Sequence, residues 1–184
     1  TLSNNRLERG GSWFYSTSGS TTSKKMNITI EDNHMKNQPY YGAYLYYFDG
    51  LELNRNTVTN DSAFQYGYGY YGLGIIYYAD NFNITRNSVN STVGTSGWRY
   101  ALSVQYSVGA SNPRSQIANN CLNVGYEGNT SYTYYGLYLY QSGLIDIYNN
   151  TVNRWGSNSS YAIYMYQGGA MNLMNNSFAN YSQG

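Results

Sequence analysis

The stretch Leu144-Ile145-Asp146-Ile147-Tyr148-Asn149-Asn150-Thr151-Val152 reads as a short strand, a bend marked by Asn, and the opening of a second strand. Apolar residues two apart, with polar or aromatic residues between them, give one buried and one solvated face to an extended chain. The same phrase recurs as Leu2-x-x-Asn5-x-Leu7, Ile28-x-Ile30-x-x-Asn33-x-Met35, Leu51-x-Leu53-x-x-Asn56-x-Val58 and Phe82-x-Ile84-x-x-Asn87-x-Val89. It continues as Ile117-x-x-Asn120-x-Leu122 and, after the stretch quoted first, as Met171-x-Leu173-x-x-Asn176-x-Phe178. The Asn positions 5, 33, 56, 87, 120, 150 and 176 are separated by 28, 23, 31, 33, 30 and 26 residues. Self-similarity on that scale marks a repeat architecture.

A second phrase alternates with the first: Tyr, then Gly or Ala, then alternating apolar residues. Its copies are Tyr41-Gly42-Ala43-Tyr44-Leu45-Tyr46, Tyr71-Gly72-Leu73-Gly74-Ile75-Ile76, Tyr100-Ala101-Leu102-Ser103-Val104-Gln105, Tyr135-Gly136-Leu137-Tyr138-Leu139-Tyr140 and Tyr161-Ala162-Ile163-Tyr164-Met165-Tyr166. Period-two alternation predicts strands with residues 43, 45, 73, 75, 102, 104, 137, 139, 163 and 165 inward. It turns Tyr44, Tyr46, Tyr138, Tyr140, Tyr164 and Tyr166 outward, with an interruption at Gly74, Ile76, Ser103 and Gln105. From the small residue to the ladder Asn is 14 residues in three units (42 to 56, 136 to 150, 162 to 176), but 15 from 72 to 87 and 19 from 101 to 120. The polar loops leading to the next unit vary in length, as in Ser91 to Trp98 and Gly125 to Thr133.

Each unit thus carries a Tyr-Gly strand, a turn, an Ile-x-Ile strand, an Asn bend, a short third strand and a polar loop. Stacked units would pair equivalent strands in parallel ~4.8 Å apart and merge their apolar residues into one core. The seven Asn then form a ladder, since a side-chain amide offers both a donor and an acceptor along the column. Asn also tolerates the left-handed backbone that a sharp bend requires. The expected fold is all-β, a parallel solenoid of about six coils forming a single segment over 1–184.

These elements resemble the right-handed parallel β-helix of the pectate-lyase-like superfamily, carried by the Ile-x-Ile-x-x-Asn-x-Val phrase and its Asn ladder over essentially the whole chain. The superfamily includes polysaccharide lyases, glycoside hydrolases, phage tailspikes and surface adhesins. The Tyr-Gly-Leu-x-Leu-Tyr and Asn-Asn-Thr-Val wording is closest in style to long, low-charge arrays in bacterial surface proteins of the Bacteroidetes type. The resemblance implies an extracellular or cell-surface setting.

Composition supplies further bounds. The formal net charge is +1 and charged residues make up 10% of the chain, so no strong field points to nucleic acid or a membrane surface. The 25 Tyr and regular alternation argue against disorder. No apolar run approaches the roughly 20 residues that span a bilayer. The single Cys121 takes a strand slot and reads as a small buried residue. With one His and one Cys, a structural zinc set is excluded, and no cofactor is expected.

Catalytic chemistry is thinly represented. His34 stands alone in a turn. Glu52 and Asp146 share an outward column three units apart, about 14 Å at ~4.8 Å per rung, beyond the ~5–9.5 Å that separates the carboxylates of glycoside hydrolases. Asp49, Glu52, Asp80, Arg55 and Arg86 form the better local group, with Asp32, Arg55 and Arg86 taking the position before the ladder Asn in successive units. Stacked charges of that kind usually balance one another on an exposed face. No catalytic motif of the lyases matches residue by residue. The aromatic strip of Tyr44, Tyr46, Tyr138, Tyr140, Tyr164 and Tyr166 is the stronger signal, because Tyr offers flat apolar area with a polar tip. Sequons such as Asn83-Ile84-Thr85 and Asn90-Ser91-Thr92 are expected by chance in so Asn-rich a chain, and Asp61-Ser62-Ala63 resembles a bacteroidetal O-glycosylation consensus.

The leading expectation is therefore a structural or adhesive segment of a bacterial surface solenoid or filament. Its rivals are a lyase or hydrolase using the Asp49–Arg86 face, and a non-catalytic carbohydrate-binding module. The expected partners are further coils of the same chain or head-to-tail copies, with polysaccharide or another surface protein on the aromatic strip. Both ends fall inside a repeat without a capping element, so each end is expected to be covered by something outside residues 1–184.

Overall fold

The structure, a computed structural model, describes residues 1–9, 19–61, 71–92, 97–109, 111–126, 131–156 and 159–181, and the backbone alone of 12–16 and 70. The alternating phrases produce what they encode: three parallel sheets running the length of a β-solenoid, and no helix among the described residues. The first, seven-stranded sheet holds the Ile-x-Ile strands: Leu2–Ser3, Lys25–Glu31, Phe48–Asn54, Asn83–Thr85, Ser115–Ala118, Ile145–Tyr148 and Met171–Met174. The second, also seven-stranded, follows the Asn bend: Arg6–Glu8, His34–Lys36, Thr57–Thr59, Ser88–Ser91, Cys121–Gly125, Thr151–Trp155 and Ser177–Tyr181. The third, six-stranded, carries the Tyr-Gly phrase: Ser12–Ser16, Tyr41–Tyr46, Tyr70–Tyr77, Arg99–Gln105, Tyr134–Tyr140 and Tyr161–Tyr166. Of the variable loops, residues 62–69, 93–96 and 127–130 lie outside the described residues, and with them Ser62 and Ala63 of the glycosylation-like tripeptide.

Apolar residues stack in register to form the core. Leu53, Ile84, Ile117 and Ile147 make one column in the first sheet, and Val58, Val89, Leu122 and Val152 make one in the second. Leu45, Ile76, Val104 and Leu139 make one in the third. All are buried in one continuous cluster. Ile163 and Met165 keep this inward register, but no described rung covers theirs, and Met165 is 46% exposed.

Three placements differ from the alternation read in the sequence. The strand Tyr70–Tyr77 carries a bulge, so that Ile75 pairs with Tyr44 and Ser103 while Ile76 pairs with Leu45 and Val104. Leu73 and Ile76 therefore face the core, and Ile75 turns outward, yet is only 3% exposed. The extra residue counted between Gly72 and Asn87 is this bulge. Second, the left-handed residue of each Asn bend is the one before the ladder Asn: Asn4, Asp32, Arg55, Arg86, Asn119, Asn149 and Asn175 all have φ between 52° and 58°. Third, Cys121 is exposed. It pairs with Ser88 and Thr151 in an outward column, and the inward slots of its strand belong to Leu122 and Val124.

Candidate functional site

The Asn ladder is complete from Asn5 to Asn176. Each Asn donates from its side-chain amide to the Oδ1 of the next, at 2.9 Å for Asn5 to Asn33 and 3.0 Å for Asn33 to Asn56, Asn56 to Asn87 and Asn87 to Asn120. Asn120 to Asn150 and Asn150 to Asn176 close at 2.9 Å. Each Oδ1 also accepts the backbone N–H of the preceding ladder Asn, and the amides of Asn56, Asn87 and Asn120 donate again to the carbonyls of Ile30, Leu53 and Ile84. Asn33 through Asn150 are buried. The bonds of the column go to neighbouring ladder amides and to backbone carbonyls of the same and preceding rungs, such as Glu31 and Tyr148, which gives it a structural role.

A second ladder went unseen in the sequence. At the turn from the third sheet to the first, Ser107 Oγ accepts the N–H of Ala79 at 3.0 Å, and Ser142 Oγ accepts the N–H of Ser107 at 3.2 Å. Two buried arginines were also missed, although Arg154 pairs with Val124 and so occupies an inward slot that alternation marks. Arg154, 3% exposed, donates to the carbonyls of Gly156 at 3.0 Å and Ser160 at 2.7 Å and to Asn180 Oδ1 at 3.3 Å. Burial pulls its pKa below the usual arginine value. Arg99, 1% exposed, lies over the Tyr134 ring at 5.5 Å. Both fasten the corner between the second and third sheets.

The acidic residues singled out earlier do not converge. Asp49 accepts from Asn81 at 2.7 Å and Glu52 from Asn83 at 2.8 Å, while Asp80 pairs with Lys24. Arg55 grips Asp32 bidentately at 2.7 and 2.6 Å and reaches Glu31 at 2.8 Å. Those hydrogen bonds hold the Asp32 carboxyl below the usual carboxylate range. Arg86 is exposed and makes no ion pair among the described residues. Glu52 and Asp146 do share a column with Asn83 and Gln116 between them, and Asp146 is tied to Arg114 at 2.7 Å. Among the described residues no group of three or more His, Cys, Asp or Glu could hold a metal ion. His34 is half-buried on the second sheet and meets Thr59 Oγ1 at 3.2 Å.

The outer face of the third sheet is a tyrosine surface wider than the six positions expected. Tyr138 stacks on Tyr164 at 5.3 Å and Tyr140 on Tyr166 at 5.2 Å. Tyr44 and Tyr46 lie on the same face, their hydroxyls 3.2 Å apart, and the bulge brings Tyr77 onto Tyr46 at 4.4 Å. The interruption consists of Ile75, Ser103 and Gln105. Two further columns flank the strip. Tyr41, Tyr71, Tyr100, Tyr135 and Tyr161 stack without a gap, at 5.3, 4.6, 4.8 and 5.6 Å. Tyr47, Tyr78 and Tyr106 stack at 5.1 and 5.2 Å, all three with left-handed backbone. The signal for the first of these columns was the Tyr that opens each copy of the second phrase. Burial within the array pushes the phenols of Tyr77 and Tyr138 up to about 12, and those of Tyr46, Tyr71 and Tyr100 higher still.

With this geometry in hand, likeness to known proteins adds little. No family model matches the sequence, and no curated protein matches it. Among solved structures the chain is similar to PfbA, a surface adhesin of Streptococcus pneumoniae, at 16% identity and a TM-score of 0.32. The match covers 93% of this chain and 40% of that one. At that level the likeness does not extend to function.

Proposed function

We propose that this chain is a non-catalytic, adhesive segment of a bacterial cell-surface β-solenoid, with the tyrosine face of the third sheet as its contact surface. The observation that supports this best is the continuity of that face. The Tyr41–Tyr161 column stacks from rung to rung and Tyr138 and Tyr140 stack on Tyr164 and Tyr166, so these rings are held in place before any partner arrives, and the entropy normally lost in ordering a contact side chain is already spent. Tyr combines a large apolar ring with a hydroxyl that bonds to polar partners, which suits a surface that must stay in water when free and adhere when met. Further coils of the same chain, or head-to-tail copies, would lengthen the face without changing its character. The partner is a surface protein or a polysaccharide presenting a flat apolar face.

The test is adhesion by cells displaying the segment. Replacing Tyr138, Tyr140, Tyr164 and Tyr166 together by Thr keeps strand preference while removing the rings. Adhesion should fall to background with the circular dichroism spectrum retained; unchanged adhesion removes this face from the mechanism. The enzymatic rival is examined by incubating the parent with acidic and neutral polysaccharides. Cleavage that disappears when Asp49, Glu52 and Asp80 are all replaced by Ala would establish it.

A further inference from the structure

On the outer face of the second sheet, away from the tyrosine array, lies a groove of about 580 Å³. Its floor is a column of amides, Asn90, Asn123 and Asn153, paired rung to rung. Its side is aromatic: Tyr126, 42% exposed, and Trp155, which stacks on Tyr181 at 5.0 Å. Thr92 completes the rim. Unlike the buried ladder, this column is half-satisfied within the protein. Among the described residues Asn153 donates to Asn123 Oδ1 at 2.9 Å, Asn123 donates to the Cys121 sulfur at 3.7 Å, and Asn90 is exposed.

We propose that this groove is a binding site for a neutral glycan chain, lying along the amide column with sugar ring faces against Tyr126 and Trp155. The chemistry of the lining selects this ligand. An amide side chain presents a donor and an acceptor together, as a sugar hydroxyl does, so amides on a ~4.8 Å pitch meet a run of hydroxyls without leaving partners unpaired. The aromatic side offers flat area to the apolar C–H face of a sugar ring. None of the lining side chains carries a charge at neutral pH, whereas an acidic glycan is recognised through Arg or Lys on its carboxylates. A peptide adding as a strand needs an open sheet edge, and the Cys121–Gly125 and Thr151–Trp155 strands are paired on both sides. The site shares no residue with the tyrosine face, so it stands or falls independently of the adhesive reading.

The experiment is calorimetric titration of the full chain with cellohexaose, mannohexaose, xylohexaose and laminarihexaose, alongside an oligogalacturonate and a proline-rich peptide. At least one neutral hexasaccharide should bind. Trp155→Ala should weaken it by about tenfold or more, and the double change Asn123→Ala with Asn153→Ala should do the same. The double variant keeps the test decisive should loss of the Trp155–Tyr181 stack disturb folding. Met26→Ser, at an exposed position on the first sheet away from both surfaces, should leave the affinity unchanged. The proposal is overturned if no neutral hexasaccharide binds, if binding survives both groove variants, or if the groove variants abolish binding of the oligogalacturonate or the peptide instead.

Discussion

At the bend between the first and second sheets, every described rung from Asn5 to Asn176 places the same residue, and each amide meets the next at 2.9 or 3.0 Å. Across the third sheet the same rungs present Tyr to one another, yet two of the columns run through Ile75, Ser103 and Gln105 without losing the sheet. The difference follows from burial. A buried amide must satisfy donor and acceptor at fixed distances, and in this column Asn does so while also taking the N–H of the preceding rung. A half-exposed ring is held by stacking that is broad in angle and weak per pair, so a gap costs one or two contacts and leaves nothing unpaired. The Asn corner sets the rung; the tyrosine face is laid over it.

The largest effect should come from beneath both regions. Ile147→Asp puts a carboxylate into the continuous apolar core of buried Leu, Ile and Val side chains, where the charge is not solvated. We expect loss of the folded state, seen as disappearance of the cooperative thermal transition; a melt like that of the parent would mean Ile147 does not face inward.

Breaking the corner itself should rank next. Asn120→Ala removes the acceptor of two donors on Asn87 and the donor to the Ile84 carbonyl. With about 1–3 kcal/mol for each buried group left unpaired, the variant should lose about 3 kcal/mol or more in urea unfolding. Asn5→Ala, where the side chain is exposed and donates to Asn33 Oδ1 and the Ser3 carbonyl, should lose clearly less. Equal losses would show that the ladder does not act through burial.

The tyrosine face should answer more gently. Tyr100→Ser removes a ring stacked on both sides, at 4.6 and 4.8 Å, and at ~0.5–1.5 kcal/mol per aromatic pair should cost about 1–3 kcal/mol. Tyr161→Ser, with a column neighbour only at Tyr135, should cost less. Alkali probes the same face without mutation. An unfolded phenol ionises near pH ~10, whereas burial raises Tyr77 and Tyr138 to about 12. Between those values the unfolded chain has already released protons that the folded chain keeps. Stability is therefore full below pH ~10 and falls as pH rises through the folded values. Ultraviolet titration should show a fraction of phenols ionising late, together with loss of structure. Titration of every tyrosine near pH ~10 in the folded protein would contradict the packed array.

The sheets and the ladder were legible because both are periodic: alternation fixes which face each side chain takes, and the recurring Asn fixes the rung. What failed to show was aperiodic or off by one. The bulge at Tyr70–Tyr77 transposes Ile75 and Ile76, and the extra residue before Asn87 was its only trace. Cys121 was placed inside on its chemical type, although its slot beside Leu122 points out. The sequence drew attention to the amide at each bend, whereas the unusual backbone falls on the residue before it. The amide column of the groove was legible too, since Asn90, Asn123 and Asn153 each stand three residues after a ladder Asn; only the aromatic side, Tyr126 and Trp155, has no shared phrase.

That off-by-one position gives the smallest expected effect and the sharpest contrast with the ladder. Arg55 looks like a functional group, since it grips Asp32 and reaches Glu31. It is also the residue whose backbone turns the corner, at φ 54°. The ion pair is exposed and screened, and such pairs contribute little. The left-handed backbone, by contrast, is unfavourable for any residue with a Cβ, most of all a β-branched one, and free for glycine. If charge decides the position, Arg55→Gly and Arg55→Val should be equally harmful, since both abolish the pair. If backbone geometry decides it, Arg55→Gly should melt at or slightly above the parent temperature and Arg55→Val below it. We expect the second result, with the gap between the two variants persisting in high salt, where the Arg55 pair is largely screened. A Gly variant as unstable as the Val variant, recovering only in Arg55→Lys, would return the position to electrostatics.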